Sequence, residues 1–543
     1  GIQYVENSIC ITGIKRRPWN RCGRSNPDSG GSDRACHHFQ VAADKSGTDD
    51  IRKDHQRKFR YLKSQNVRKK DSDNKIFKLS CVWSKVSAAE FVDGEVTVYL
   101  TLIFVLFLSL VLALMESASI QMAKNYRRAD MNRAIECVFA EYQKELLENY
   151  DVFAIEAGYE TGAYSEQNIL ERLSYYGADM ENEIKRIQLL TDKNGELFID
   201  QAGKYMKHKY GIAWADKYLG STSIWKNQEE RADEFTEEEK IQADRLDELL
   251  GEQEAELPSE ENPMEHIAGL KRSPLLNLIM PEGKQVSEKK IDLTDMPEHR
   301  KNETGYGTFE DVETEGETVS AVLMGEYILE HFTDFSDESK GGKLDYEVEY
   351  ILAGKGSDKE NLETVAKKLI LLRFVPNYIY LQTNSAKQAE ARAAAGTLCA
   401  LLAVPVVTEA AAQGILLAWA YGESVMDVRT LLNGKKTAAV KDDTSWQLSL
   451  SGLMKLGTEE DPGDGADIDG GMGYKEYIRM LLFLEGREKM SMRAMGIIEK
   501  NMQSIYGQPS FRIDYCAGRM EVKTVCKLRR GIQYSYQTYY GYQ

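Results

Sequence analysis

Val96-Thr97-Val98-Tyr99-Leu100-Thr101-Leu102-Ile103-Phe104-Val105-Leu106-Phe107-Leu108-Ser109-Leu110-Val111-Leu112-Ala113-Leu114-Met115 is a run of twenty residues without a charge. A helix rises about 1.5 Å per residue, so the run covers roughly 30 Å, the thickness of a bilayer's hydrocarbon core. A core helix of a soluble domain carries a polar stripe. This run has only Thr97, Thr101 and Ser109, whose hydroxyls can bond back to their own helix. It reads as a membrane-spanning helix.

The pattern does not stop at Met115. Met131, Ala134, Ile135, Val138, Phe139, Tyr142, Leu146 and Tyr150 recur at three- and four-residue steps, with Glu136, Glu141, Lys144 and Glu145 on other faces. No Pro or Gly interrupts Glu95 to Tyr150. The spacing predicts one helix, rooted in the membrane, whose outer half packs on a globular head. Unbroken, it would reach about 80 Å. The run exceeds the apolar core of a secretory signal, about 7–15 residues, so it reads as an anchor that is kept.

Apolar residues make up 42% of the 543 and charged residues 29%, the composition of a water-facing bulk on a single anchor. The net charge of −17 is unevenly divided. Residues 1–93 hold 19 Lys and Arg against 11 Asp and Glu, a net of +8, which leaves −25 for the remainder. An acidic bulk excludes nucleic-acid binding, which needs clustered cations to displace counterions. The split places the N-terminus in the cytoplasm and the bulk outside. The near flanks are less one-sided, with Lys75, Lys78 and Lys85 before the run and Lys124, Arg127, Arg128 and Arg133 after it. The cysteines, Cys10, Cys22, Cys36 and Cys81 before the run and Cys137, Cys399, Cys516 and Cys526 after it, form no CxxC pair and no disulfide scaffold.

The first methionine is Met115, and residues 1–90 show neither a strand nor a helix period. Residues 1–93 therefore read as a disordered cytoplasmic tail or a translation artefact. Cys36-His37-His38 lies there, far from the other cysteines, and reads as chance residues rather than a zinc site.

Further along, Ser165–Ile187 has a helical pattern built on Ile169, Leu170, Leu173, Tyr176 and Met180. Residues 228–317 hold the acidic run Glu234-Phe235-Thr236-Glu237-Glu238-Glu239-Lys240 and a long polar stretch, and read mainly as linker. Val322–Leu329 looks helical, Leu344–Ile351 alternates like a half-buried strand, and Asn361 is positioned to cap a helix through Leu372. Ala393–Ala420 carries one charge, Glu409, and is divided by Pro405. Two buried helices fit it better than a second span, because a carboxylate at mid-bilayer costs at least about 2.5 kcal/mol. At the end, Phe511, Ile513 and Tyr515, then Val522, Thr524 and Cys526, alternate around Ala517-Gly518, the pattern of a β-hairpin. Its register would leave Cys516 and Cys526 too far apart for a disulfide.

No HExxH, Walker loop, GxSxG or helix-opening GxGxxG is present. His208, His266, His299 and His331 are scattered. Asp461-Pro462-Gly463-Asp464-Gly465-Ala466-Asp467-Ile468-Asp469-Gly470 approaches a calcium loop but has Met472 where the twelfth-position Glu belongs. Gly434-Lys435-Lys436-Thr437 lacks the earlier glycine of a phosphate loop and reads as a basic turn. Trp419 and Trp446 read as core aromatics. The sequence implies no enzyme, no catalytic or cofactor-binding residue, no metal and no cofactor.

The stretches Gly94-Glu95-Val96-Thr97-Val98-Tyr99-Leu100, Met115-Glu116-Ser117-Ala118, Phe139-Ala140-Glu141-Tyr142 and Glu145-Leu146-Leu147 are followed by Val348–Lys355, by Ala418–Ser424 with Asp427-Val428-Arg429, and by Gly434-Lys435-Lys436 with Trp446 beyond it. On these residues the chain resembles an uncharacterised family of single-span proteins from Gram-positive bacteria that is associated with Tad-type pili, and its anchor resembles TadE/TadG-like pseudopilins. The resemblance implies a membrane-anchored, extracytoplasmic structural protein, a pseudopilin-like part of a Tad-type pilus or secretion apparatus, with the lipid bilayer and other pilus or secretion proteins as partners. The alternative is a tethered cell-surface ligand-binding or receptor module. Prepilin peptidases cut after a Gly and favour a Glu five residues on. The fifth residue after Gly94 is Tyr99, so Gly94 and Glu95 mark either a processing site or simply the helix start.

The expected fold is α+β and mainly helical, a long N-terminal transmembrane-plus-amphipathic helix carrying an extracytoplasmic head with a small antiparallel sheet. The expected divisions are the tail 1–93, the anchor 94–116, a helical membrane-proximal region 117–227, the acidic linker 228–317 and the head 318–543.

Overall fold

A computed structural model of the chain describes residues 95–542 except 253–255, 260, 310–315 and 401–404. The tail reading of 1–93 lies outside the described residues. The apolar run lies within the first helix, α1 (Glu95–Phe139), the one helix among the described residues long and apolar enough to cross a membrane. Thr101 and Ser109 donate to the carbonyls of Val98 and Leu106, at 2.8 and 2.7 Å, so their hydroxyls are satisfied within the helix. Leu102, Phe104, Leu106, Phe107 and Leu112 are exposed along it. Burying such a side chain is worth about 1.5–3 kcal/mol, so this surface calls for an apolar surrounding.

The chain divides into two units at Ser109 and Leu110. In chain order the second unit adds α2 (Lys144–Tyr150), β1 (Ile155–Glu156), α3 (Glu166–Tyr175), β2 (Glu181–Leu189), α4 (Glu196–Tyr210), α5 (Ile212–Glu252), α6 (Pro263–Arg272), α7 (Leu275–Ile279) and α8 (Glu317–His331). There follow α9 (Glu347–Ala353), α10 (Asp358–Thr383), α11 (Ser385–Leu398), α12 (Pro405–Leu432), α13 (Leu450–Leu453), α14 (Tyr474–Glu485), α15 (Arg487–Ser504), β3 (Cys516–Lys527) and β4 (Gln533–Gly541). The result is the expected mainly helical chain with a small antiparallel sheet.

Two apolar clusters hold this unit together. The smaller joins Met131, Ala134, Ile135, Val138 and Phe139 of α1 to Ile169 and Leu173 of α3 and to the sheet residues Ile184, Ile187, Met520 and Val522. β3 is the centre of that sheet. It pairs antiparallel with β2 (Glu181↔Val525 to Leu189↔Ala517), with β4 (Arg519↔Gly541 to Lys527↔Gln533) and, at its start, with β1. The larger cluster is helical and centres on α10 and α12, with Trp419 fully buried. Local signals set its helices. Ser357 caps α10 by accepting from the Glu360 amide, Asn384 caps α11 by accepting from Ala386 and Lys387, and Asn262 with Pro263 opens α6.

Several expectations differ from the structure. α1 ends at Phe139, not Tyr150, and Leu146 and Tyr150 on α2 enter the larger cluster. Ser165–Ile187 is half helix and half strand. The acidic stretch 228–317 is no linker over most of its described length. α5 turns Glu234 and Glu237 to solvent while Ala232 and Leu246 are buried, and α6 and α7 place Ile267, Leu275, Leu276 and Ile279 in the main core. Few apolar positions over a long charged helix are hard to tell from a solvated connector. Nor do 117–227 and 318–543 separate into two regions, because β1 and β2 share a sheet with β3 and β4.

Leu344–Ile351 is not a strand. It ends in α9, whose Glu347 and Glu349 are buried, since they accept from the amides of Thr333 and Phe335 at 3.0 and 2.9 Å. Asn361 lies inside α10 and binds the Lys355 backbone instead of capping. Ala393–Ala420 forms two helices, with Glu409 paired to Arg392 at an exposed position. The terminal hairpin is β3–β4, turning at 528–532 and not at Ala517-Gly518, which lie within β3. Cys516 and Cys526 therefore stand at opposite ends of one strand.

Candidate functional site

The place where α1 meets the last strand is the most specific feature of the fold's first half. Along β4 the even-numbered side chains face inward, as the strand period requires. Tyr534 and Tyr536 donate to the carbonyls of Lys124 and Arg127, at 3.2 and 2.8 Å, and Tyr542 donates to that of Phe139. Each carbonyl has a second lone pair free for such a bond. The Lys124 ammonium and the Arg128 guanidinium lie over the rings of Tyr534 and Tyr536, each at 5.4 Å. Phe139 packs on Tyr540 at 4.6 Å and Tyr542 at 5.1 Å. β4 thus runs along α1 and clasps it over four turns.

Glu141 fixes the end of the helix. Its carboxylate accepts from the Arg172 Nε at 2.9 Å, from the Tyr176 hydroxyl at 2.6 Å and from the Tyr159 hydroxyl at 3.3 Å. Burial pushes its pKa up, but the bonds from Arg172 and Tyr176 outweigh that and hold it below the usual range. The Gln143 amide donates to the Ala154 carbonyl at 2.8 Å. These tertiary bonds divert the chain from the helical path that its apolar spacing suggested.

Deeper in the head, charge is enclosed. Asp427 accepts from the Arg373 Nε at 2.9 Å, the Lys441 Nζ at 2.8 Å and the Asn377 amide at 3.0 Å, while Lys441 also donates to Glu423. All four charged side chains are at most 3% exposed. Burial pushes both carboxyls up. At Asp427 the charges of Arg373 and Lys441 prevail and its pKa is lowered, whereas Glu423 stays raised. A second cluster surrounds Glu349. Burial and the neighbouring Asp334 push it up to about 8. Its Oε1 accepts from Tyr474 at 2.6 Å and Phe335 at 2.9 Å, and its Oε2 has no hydrogen-bonding partner, which suits a neutral carboxyl better than a charge. Neither cluster is open to a substrate, so both hold helices together.

Of the positions singled out in the sequence, Gly94 lies outside the described residues, and Glu95 begins α1. Three acids of the calcium-like loop are committed to protein partners. Asp461 binds Arg429, Asp464 binds Lys435 and Asp467 accepts from the Lys436 amide. Among the described residues no group of three or more His, Cys, Asp or Glu is placed to hold a metal. His331 has both ring nitrogens engaged, by the Tyr327 carbonyl and by Asp151. Trp419 is fully buried and Trp446 partly, at the head's core. A cleft of about 560 Å³ with a mixed lining lies between α5, α6 and α12, with Leu246, Met264 and Leu417 among its apolar residues and Asp247, Glu256 and Lys271 among its polar ones. Sequence reasoning missed the clasp, although Tyr534, Tyr536, Tyr540 and Tyr542 already alternate in the chain.

No curated protein matches the chain, and no solved structure does. A family model does. It covers residues 253–528, from the end of α5 through β3, and so takes in the stretches Val348–Lys355, Ala418–Ser424 and Gly434–Trp446, which contribute Glu349, Glu423 and Lys441 to the enclosed clusters. The match extends over more than half of the sequence, and the chain belongs to the family of unknown function DUF5702.

Proposed function

We propose that the chain is a membrane-anchored, extracytoplasmic structural protein that works by assembly, as a pseudopilin-like component of a Tad-type pilus or secretion apparatus in a Gram-positive bacterium. One observation carries the reading: a helix with a bilayer-length apolar run continues past it and packs its far end on a small antiparallel sheet. The enclosed charges support it, because Arg373, Glu423, Asp427 and Lys441 of the family region are spent on holding helices together. Its partners are the bilayer and other pilus or secretion proteins.

The test uses the full chain in its own cell. Carbonate-washed membranes retain it, protease added from outside degrades the head, and cross-linking captures a Tad secretion ATPase, platform or pilin. A chain in the soluble fraction, or capture of no such component, overturns the reading. Mass spectrometry of the mature N-terminus tests processing, with cleavage giving a chain that starts at Glu95.

The second reading, a tethered receptor or ligand-binding module, rests on the 560 Å³ cleft, a size that suits a small ligand. Its polar rim counts against it, since the Asn262 side chain already caps α6. Saturable binding of a small molecule, abolished by Gly414→Leu, would favour this module over the assembly role.

A further inference from the structure

The tip of the β3–β4 hairpin lies at the level where the apolar run ends. Glu116 is the first charged residue after that run, and Arg530 at the tip pairs with it. From there β4 runs away from the run along α1, meeting Lys124, then Arg127, then Phe139. The polar layer of a bilayer is roughly 5–8 Å deep on each face. Arg530, in contact with Glu116, falls within it. Lys124 lies eight residues further along α1, about 12 Å at the helical rise.

The charges on this rim do not cancel. Glu116 pairs with Arg530, Asp130 with Arg133 and Glu181 with Lys527. That leaves Lys124, Arg127, Arg128 and Arg529 without an acidic partner among the described residues, and the last three are exposed. The tyrosines of β4 hold Lys124 and Arg128 in place by their ring faces. This cationic rim belongs to a portion of chain whose net charge is −25.

We propose that the hairpin tip, with Arg529 and Arg530 beside Glu116, is a binding surface for the anionic phospholipid headgroups of the membrane that holds the anchor. The proposal rests on reading Val96–Met115 as a span. Clustered Lys and Arg beside a membrane anchor draw anionic lipid by Coulomb attraction, which is strong only within a Debye length, about 8 Å at physiological salt.

The test places the full chain in nanodiscs of phosphatidylcholine alone and of phosphatidylcholine with phosphatidylglycerol. Hydrogen exchange is followed at the amides of residues 529–531. Phosphatidylglycerol is expected to slow their exchange several-fold, while amides of the distant loop 459–470 exchange alike in both discs. The variant Arg529→Gln with Arg530→Gly is expected to lose the slowing. It keeps its fold, since Arg530 sits at φ +62°, which glycine adopts freely. Equal exchange in the two discs, or slowing that survives in the variant, overturns the proposal. So does slowing by inorganic phosphate on phosphatidylcholine discs, which would mark a site for free anions. A chain that fails to enter discs overturns the span reading and the proposal with it, whereas entry without a lipid response overturns the proposal alone.

Discussion

Glu349 is a carboxyl group that the fold holds in its neutral form near pH 7, because burial and Asp334 push its pKa to about 8. The folded chain then keeps a proton that the unfolded chain releases in the ordinary carboxylate range. Stability from this group is full at low pH and falls as pH rises to about 8, levelling off above, with a total change on the order of a few kcal/mol. Glu349→Gln is expected to remove that slope. Thermal unfolding of the two chains between pH 5 and pH 9 checks it: the variant gains on the wild type as pH rises, and parallel curves would refute the assignment. Asp427 is the opposite case, a carboxylate kept charged by Arg373 and Lys441. Asp427→Ala leaves the buried Arg373 without a carboxylate and Lys441 with Glu423 alone, and is expected to cost about 3–5 kcal/mol, read as a lower denaturant midpoint. The sequence made some of these residues legible and not others. Trp419 reads as core because a large aromatic in an Ala- and Leu-rich stretch has few other places to go. Glu347 and Glu349 misled because acids at alternate positions normally mark a solvent face. Here they face inward and satisfy the loop amides of Thr333 and Phe335.

At the scale of elements, composition decided the long apolar helix and tertiary contact decided the rest. Twenty uncharged residues make α1 long and apolar enough to cross a membrane. Its end depended on Glu141 meeting Arg172 and Tyr176, residues more than thirty positions away that no local pattern exposes. The terminal hairpin shows the same limit. Ala517-Gly518 has turn composition, yet Gly518 lies inside β3 because Leu197 packs against it. A Cβ there would come within 2.4 Å of the Leu197 Cδ2. Leu197 is itself 1% exposed and has no room to retreat. Gly518→Val is therefore expected to lower stability by about 1–3 kcal/mol through overpacking. Gly316→Val, at a glycine that likewise has no positive φ and has open space around it, controls for the loss of a glycine as such. Thermal unfolding of the two variants separates them: equal losses at positions 518 and 316 would show that the Leu197 contact carries no weight.

Across the whole second unit, the first helix and the last strand belong to one apolar cluster, while most of the chain between them builds the other. The part around the sheet is thus closed only when β4 is in place, and α1 is gripped by tyrosines more than four hundred residues along the sequence. Such long-range pairing is invisible to a reading that divides the chain into consecutive domains. It also makes a prediction that the helical head alone does not. Removing residues 529–543 takes away β4 and its three hydroxyl bonds to α1. It leaves β3 with an unpaired edge along Arg519–Lys527. The core around Trp419, Arg373 and Asp427 contains nothing from β4. Hydrogen exchange on the truncated chain is therefore expected to show lost protection at β2, β3 and Met131–Phe139, with α10 and α12 protected as in the full chain. Exchange rising equally in both clusters would mean that the unit opens as a whole and that the clasp is no separable element. Unchanged protection at β2 would mean that the tyrosines contribute nothing to holding α1.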